Sequence, residues 1–267
     1  MILDDLVAAT RKRMARDMEV LSLEAVKAKA LAIREREKAE KHEDFLFEKN
    51  LNSPEIQFIC EVKKASPSKG LIAEDFPYIE IAKAYEKAGA AAISVLTETD
   101  YFLGSDKYLE EIHAEVATPL LRKDFTVEPY QIYQAKALGA SAVLLICAIL
   151  DEETIASYIK LCDSLGVSAL VEAHDEEEVK KACRAGARVL GVNNRNLKDF
   201  TVDIRNSLKL REMVSKGVLF VAESGISTPE DIKALREGGV NGVLIGETLM
   251  RSEDKKAMLD YLRGIEQ

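Results

Sequence analysis

The 267-residue sequence predicts one α/β domain, a closed (β/α)8 TIM barrel over residues 56–265 behind an N-terminal helical extension over residues 1–50. Three observations predict it. From Ile56 onward a unit of short apolar run, loop and amphipathic helix repeats eight times. Helical segments end in Gly89-Ala90, Gly139-Ala140, Gly166-Val167, Gly186-Ala187 and Gly239-Val240, where glycine supplies the left-handed residue that stops a helix. No G-x-G-x-x-G turn follows an early strand, as an open nucleotide-binding sheet would show. Eight βα units in a row close a parallel sheet on itself, and a barrel of about 250 residues takes up nearly the whole chain.

In the extension, Ile2, Leu3, Leu6 and Val7 form one apolar stripe. Leu23, Val26, Ala30 and Ile33 form a second, behind a Ser22 cap. Arg34 to Asp44 is nearly all charged and is expected to be a solvated helix face with pairs such as Glu37 and Lys41. The extension is expected to cover one end of the barrel. Strands are predicted to start near Ile56, Ala91, Pro119, Ser141, Val167, Arg188, Val218 and Asn241. Between them lie helices near 78–88, 105–116, 128–138, 152–165, 176–185, 204–215 and 229–237, with a last one near 254–265.

Composition narrows the function. With 47% hydrophobic and 31% charged residues there is enough apolar material for one large core. The formal net charge of -9 disfavours a nucleic-acid partner but leaves room for a small anionic substrate at a local Lys/Arg cluster. No apolar run reaches the roughly 18 residues of a membrane span. Met1 to Val20 mixes acids with bases, unlike a signal or transit segment, so a cytoplasmic protein without a membrane partner is expected. Cys60, Cys147, Cys162 and Cys183 form no CxxC pair, and His42, His113 and His174 are scattered. No metal site and four reduced thiols, mostly in or near the core, are expected.

The chemistry is expected at the C-terminal strand ends. In the first strand Gln57, Ile59, Glu61 and Lys63 share one face and Phe58, Cys60 and Val62 the other. A strand ending in Glu and Lys, followed by a Ser-Pro-Ser-Lys-Gly turn, reads as the rim of an anion-handling site. The other ends read Thr97-Glu98, Lys123-Asp124-Phe125, Leu145 to Ala148, Glu172-Ala173-His174, Asn193-Asn194-Arg195, Glu223-Ser224-Gly225 and Gly246-Glu247. Single charges at strand ends can be structural ion pairs; charged or amide groups at five or more of the ends point to a site. The glycines after the seventh and eighth strands let backbone N–H groups approach a phosphate, and a short helix near Glu247 aims its positive end at it.

These strings resemble the indole-3-glycerol phosphate synthase family. They are E-V-K-K-A-S-P-S-K-G (61–70), S-V-L-T-E (94–98), Y-F-L-G-S (101–105), K-D-F (123–125) and L-V-E-A-H (170–174). G-V-N-N-R-N-L (191–197), A-E-S-G-I (222–226) and L-I-G-E-T-L-M-R (244–251) complete the set, in family order across nearly the whole barrel. The one departure is Asn196, where the family usually has Asp; its expected effect is limited to loop hydrogen bonding.

The resemblance implies ring closure of 1-(2-carboxyphenylamino)-1-deoxyribulose 5-phosphate with loss of CO2 and water, without a cofactor. It implies Lys123 as general acid, Glu172 as its electrostatic or acid/base complement, and Glu61 with Lys63 as a second proton-handling pair. Which lysine serves which step is left open. Asn193 and Ser224 would hold sugar hydroxyls and orient the catalytic groups, and Ser66 and Arg195 would meet the anthranilate carboxylate. Pro67, Phe102 and Phe125 would wall the aromatic ring, and the N–H groups of Gly225, Gly246 and Glu247 would bind phosphate. Phosphoribosylanthranilate isomerase would share the phosphate loops without needing E-x-K-x-x-S-P-S. A non-catalytic phospho-ligand sensor would have no need of Lys63, Lys123 and Glu172 together. A monomer is expected, with a dimer through the extension left open.

Overall fold

Every barrel strand buries both faces, one against its neighbours across the lumen and one beneath a helix, so the strands read as near-continuous apolar runs. The computed structural model describes residues 2–196 and 200–265. Leu197 of the G-V-N-N-R-N-L string, the side chain of Ile2 and the two chain ends lie outside the described residues.

Three helices come first: α1 (Ile2–Val20), α2 (Leu23–Ala39) and α3 (Leu46–Leu51). The first unit is β1 (Gln57–Val62), a small hairpin of β2 (Ala65–Ser66) and β3 (Gly70–Leu71), and α4 (Tyr78–Lys87). Then follow β4 (Ala92–Leu96) and α5 (Asp106–His113), β5 (Leu120–Lys123) and α6 (Pro129–Ala137), and β6 (Ala142–Ile146) and α7 (Glu152–Ser164). The second half holds β7 (Ser168–Ala173) and α8 (Glu176–Arg184), β8 (Val189–Asn193) and α9 (Arg205–Arg211), and β9 (Leu219–Glu223) and α10 (Pro229–Glu237). The chain finishes with β10 (Gly242–Ile245), α11 (Glu247–Arg251) and α12 (Lys255–Leu262).

All barrel neighbours are parallel, and β1 closes the ring by pairing with both β4 and β10. Each predicted strand start lies one residue before the observed one, within the fraying of element ends. The helix expected over 204–215 stops at Arg211. The terminating glycines sit at positive φ as expected, for example Gly139 at 90°.

Parity in β1 is as read: Ile59 joins the inner cluster with Leu121, Leu144, Leu170 and Leu244, while Phe58, Cys60 and Val62 pack outward against the helices. Each such buried Leu or Ile contributes about 1.5–3 kcal/mol.

The extension differs from expectation in covering both ends of the barrel rather than one. At the bottom, α3 inserts the fully buried Phe47 and Leu51 among the inner barrel residues, and Asn50 Nδ2 donates to Ala91 O at 2.9 Å. A barrel with small residues such as Ala92 and Gly242 at the strand starts leaves a floor that only bulky side chains from outside can fill. At the top, α1 places Leu3 and Leu6 over the mouth and anchors there through Arg13, whose Nη2 donates to both oxygens of Asp124 at 2.7 Å. Between them α2 lies on α6.

The expected Glu37–Lys41 pair does not form. Helix α2 ends at Ala39 and Lys41 takes a left-handed φ of 57°, which turns it off the helix face. Glu37 instead accepts from Lys136 of α6 at 2.7 Å, and the buried Arg34 pairs with Asp44. The charge run is therefore partly a docking face.

Candidate active site

The end of β1 carries Glu61 and Lys63 on the lumen face, joined as an ion pair. Room for them comes from across the strand pair. A Cβ at residue 246 would meet the Glu61 carboxylate and the Lys63 ammonium, so glycine there leaves the pair undisturbed. The loop then folds into the β2–β3 hairpin, bringing Ser66, Pro67 and Lys69 to the rim.

Lys123 ends β5 and points into the mouth, with Nζ 3.3 Å from Glu172 Oε2 and 3.6 Å from Glu223 Oε2. Burial works against its charge, but Glu172, Glu223 and Glu61 outweigh it and hold the ammonium above its ordinary range. The two carboxylates divide. Burial would raise Glu172, but the charges of Lys123 and His174 prevail and keep it ionised below the usual value. Glu223 is 2% exposed, and desolvation with the repulsion of Glu172 pushes it up to about 8 despite Lys123. Two acids of one type thus sit side by side, one a carboxylate and one a neutral acid at pH 7. Glycine again makes the space: a Cβ at residue 191, on the neighbouring β8, would strike the Glu223 carboxyl.

On β8 and β9, Asn193 Oδ1 accepts from Ser224 Oγ at 2.9 Å and from Arg195 N–H at 3.0 Å, so the amide is held at the rim of the cavity. Arg195 Nη1 donates to Phe200 O at 3.3 Å, which braces it against the loop that follows β8. Asn196 helps close that loop through its backbone, with its N–H donating to Thr201 O and its carbonyl accepting from Phe200. Phe102 and Phe125 stand 6.4 Å apart on one wall. Opposite, Ser224 and Gly225 both adopt positive φ, 69° and 80°, turning that loop toward the start of α11 at Gly246 and Glu247. The Glu247 side chain is turned aside to Lys69 at 3.4 Å and Arg251 at 3.0 Å, leaving its backbone N–H as the group available to an anion.

All fourteen residues picked from the sequence line one cavity of about 740 Å3 at the C-terminal mouth: Glu61, Lys63, Ser66, Pro67, Phe102, Lys123, Phe125, Glu172, Asn193, Arg195, Ser224, Gly225, Gly246 and Glu247. Two other strand-end charges are structural. Glu98 accepts from the N–H groups of Asp100, Tyr101 and Phe102, and Asp124 from Arg13, Thr97 and the Phe125 N–H. Sequence reasoning assigned no role to Glu223, although its parity with Val221 and its place at a strand end were visible. Nor did it find Leu3 and Leu6 in the lining, since nothing in an amphipathic stripe says which surface it meets.

The family model for indole-3-glycerol phosphate synthase matches residues 3–262. A protein of that name from Ruminiclostridium cellulolyticum is 57% identical over 264 residues, covering 99% of both chains. One from Lachnoclostridium phytofermentans is 54% identical over 270 residues, 99% of this chain and 100% of its own. Among solved structures, 3-hexulose-6-phosphate synthase of Salmonella typhimurium superposes with a TM-score of 0.64 over 79% of this chain and 98% of its own. At 14% identity that likeness is one of fold.

Proposed function

The chain belongs to the indole-3-glycerol phosphate synthase family, and from that premise we propose how the residues of its barrel mouth divide the work. The reaction is that of a decarboxylating carbon–carbon lyase. It converts 1-(2-carboxyphenylamino)-1-deoxyribulose 5-phosphate to indole-3-glycerol phosphate, releasing CO2 and water. The phosphate sits on the N–H groups of Gly225, Gly246 and Glu247, and the anthranilate ring lies by Pro67, Phe102 and Phe125 with its carboxylate toward Ser66 and Arg195.

Ring closure joins the carboxylate-bearing ring carbon to the ketone carbon. The ketone oxygen takes a proton from the Lys123 ammonium, and the nitrogen lone pair becomes an iminium. Glu172, ionised beside Lys123, stabilises that positive charge. The C–CO2 bond then breaks, its electrons return to the iminium, and the benzene ring is aromatic again. In the last step Lys63 protonates the departing hydroxyl and Glu61 accepts the carbon-bound proton, giving the indole. Asn193 and Ser224 orient the sugar hydroxyls. Overall the sequence consumes one proton, matching the carboxylate charge lost as neutral CO2. The iminium is its own electron sink.

The placement of Lys123 between Glu172 and Glu223, facing the phosphate loops across one cavity, is the observation that supports this reading most. The residues given a role all line one cavity. Because the protein has no Trp, indole formation is directly visible. Adding the deoxyribulose phosphate substrate to folded protein is expected to produce indole emission; its absence would overturn the assignment.

A further inference from the structure

His174, two residues beyond Glu172, is packed against the site but has no part in the steps above. Its Nδ1 lies 3.0 Å from Glu178 Oε2 of α8, and the same carboxylate accepts the His174 N–H at 2.8 Å. Asn206 Nδ2 of α9 donates to His174 O at 3.1 Å, so ring and backbone are both held. The other ring nitrogen is different. Nε2 is buried and 3.3 Å from Glu172 Oε1, within ion-pair range, yet among the described residues it has no aligned hydrogen-bond partner.

We propose that His174 is a positioning residue for the ring-closure reaction, acting through Glu172 as a second cation on the side away from Lys123. Glu172 presents Oε2 to Lys123 and Oε1 to His174. When Lys123 gives its proton to the ketone oxygen, it loses its charge and its hold on Glu172. His174 is then the cation left beside that carboxylate, and a small turn of Glu172 completes the bond that Nε2 lacks. Glu172 stays ionised at the moment the iminium needs it.

The surrounding charges agree. Facing the imidazole are the carboxylates of Glu172 from β7 and Glu178 from α8, with the protonated Glu223 of β9 farther off and Lys123 beyond Glu172; Asp175 is turned to the Glu178 N–H as the cap of α8. Lys181 of α8 is turned to the carbonyls of Cys147 and Leu150, and burial pushes the neighbouring Cys147 thiol up to about 12, so it is neutral. Burial works against the imidazolium, but Glu178 and Glu172 outweigh it and raise His174 above its ordinary value.

This inference rests on the role given to Glu172, and the test separates the two. Full-length wild type, His174→Gln, Glu178→Gln and Glu172→Gln are assayed by indole emission across pH. A carboxylate that loses a nearby cation titrates higher, so His174→Gln is expected to move the acid limb of kcat up by about one pH unit, a roughly tenfold loss on the acidic side with a much smaller one on the plateau. Glu178→Gln, which frees the ring, is expected to give a smaller shift in the same direction.

A His174→Gln profile that superimposes on wild type, or falls uniformly at every pH, overturns the inference while leaving Glu172 in place if Glu172→Gln is inactive. If Glu172→Gln turns over normally, both fall. Should His174→Gln fail to fold, an NMR titration of the three imidazoles in wild type decides. None titrating above the ordinary value of about 6.5 would overturn the inference.

Discussion

The carboxyl of Glu223 occupies the space that a side chain on residue 191 would need. The register that sets Gly191 beside Val221, two residues before Glu223 on β9, lets a buried acid reach Lys123 without displacing the β8 backbone.

Gly191→Ala therefore tests the placement of Glu223 rather than its chemistry. The new methyl would meet the Glu223 carboxyl and Leu170 Cδ1 at 3.2 Å, so the acid must move. We expect kcat to fall by about tenfold or more while stability drops by about 1–3 kcal/mol, an overpacking cost. Steady-state kinetics with urea unfolding measure both.

Glu223 also makes a prediction about pH. In the folded protein it holds its proton to about 8, against 4.5 for the free side chain, so folding takes up a proton between these values. The stability this group contributes is full below about pH 4.5 and is lost as pH rises toward 8. Glu223→Gln removes that slope. Its melting temperature relative to wild type is expected to climb between pH 5 and 8, and a constant difference would contradict the raised value.

The start of each barrel strand was legible to within a residue because apolar runs, terminating glycines and helical stripes all repeat on one schedule. The site was legible because strand parity tells which side chains enter the lumen: Glu61, Lys63, Lys123 and Glu172 all do. Glu223 escaped assignment because its meaning lies in a pairwise fact, the glycine on the neighbouring strand. The extension escaped for a similar reason. Its stripes announce burial, but which end of the barrel each one meets depends on the chain's path, and Arg13 finds Asp124 across 111 residues of sequence.

That long-range pair supplies a third prediction. Arg13 and Asp124 are buried, and the bidentate contact holds α1, with Leu3 and Leu6, over the mouth. Removing Arg13 takes away the nearer of two buried cations on Asp124 and leaves it Arg122 at 3.5 Å. Arg13→Ala is expected to cost about 3 kcal/mol in urea unfolding and to raise KM as the apolar cover loosens. Unchanged KM would show that α1 does not serve the substrate.

The central claim is that Lys123 is the acid of ring closure. Single-turnover indole emission with Lys123→Ala tests it most directly, in a protein with no Trp of its own. The expected result is a folded variant whose rate falls about 10²-fold or more, as for a lost general acid or positioned charge. A single-turnover rate equal to wild type would contradict the assignment.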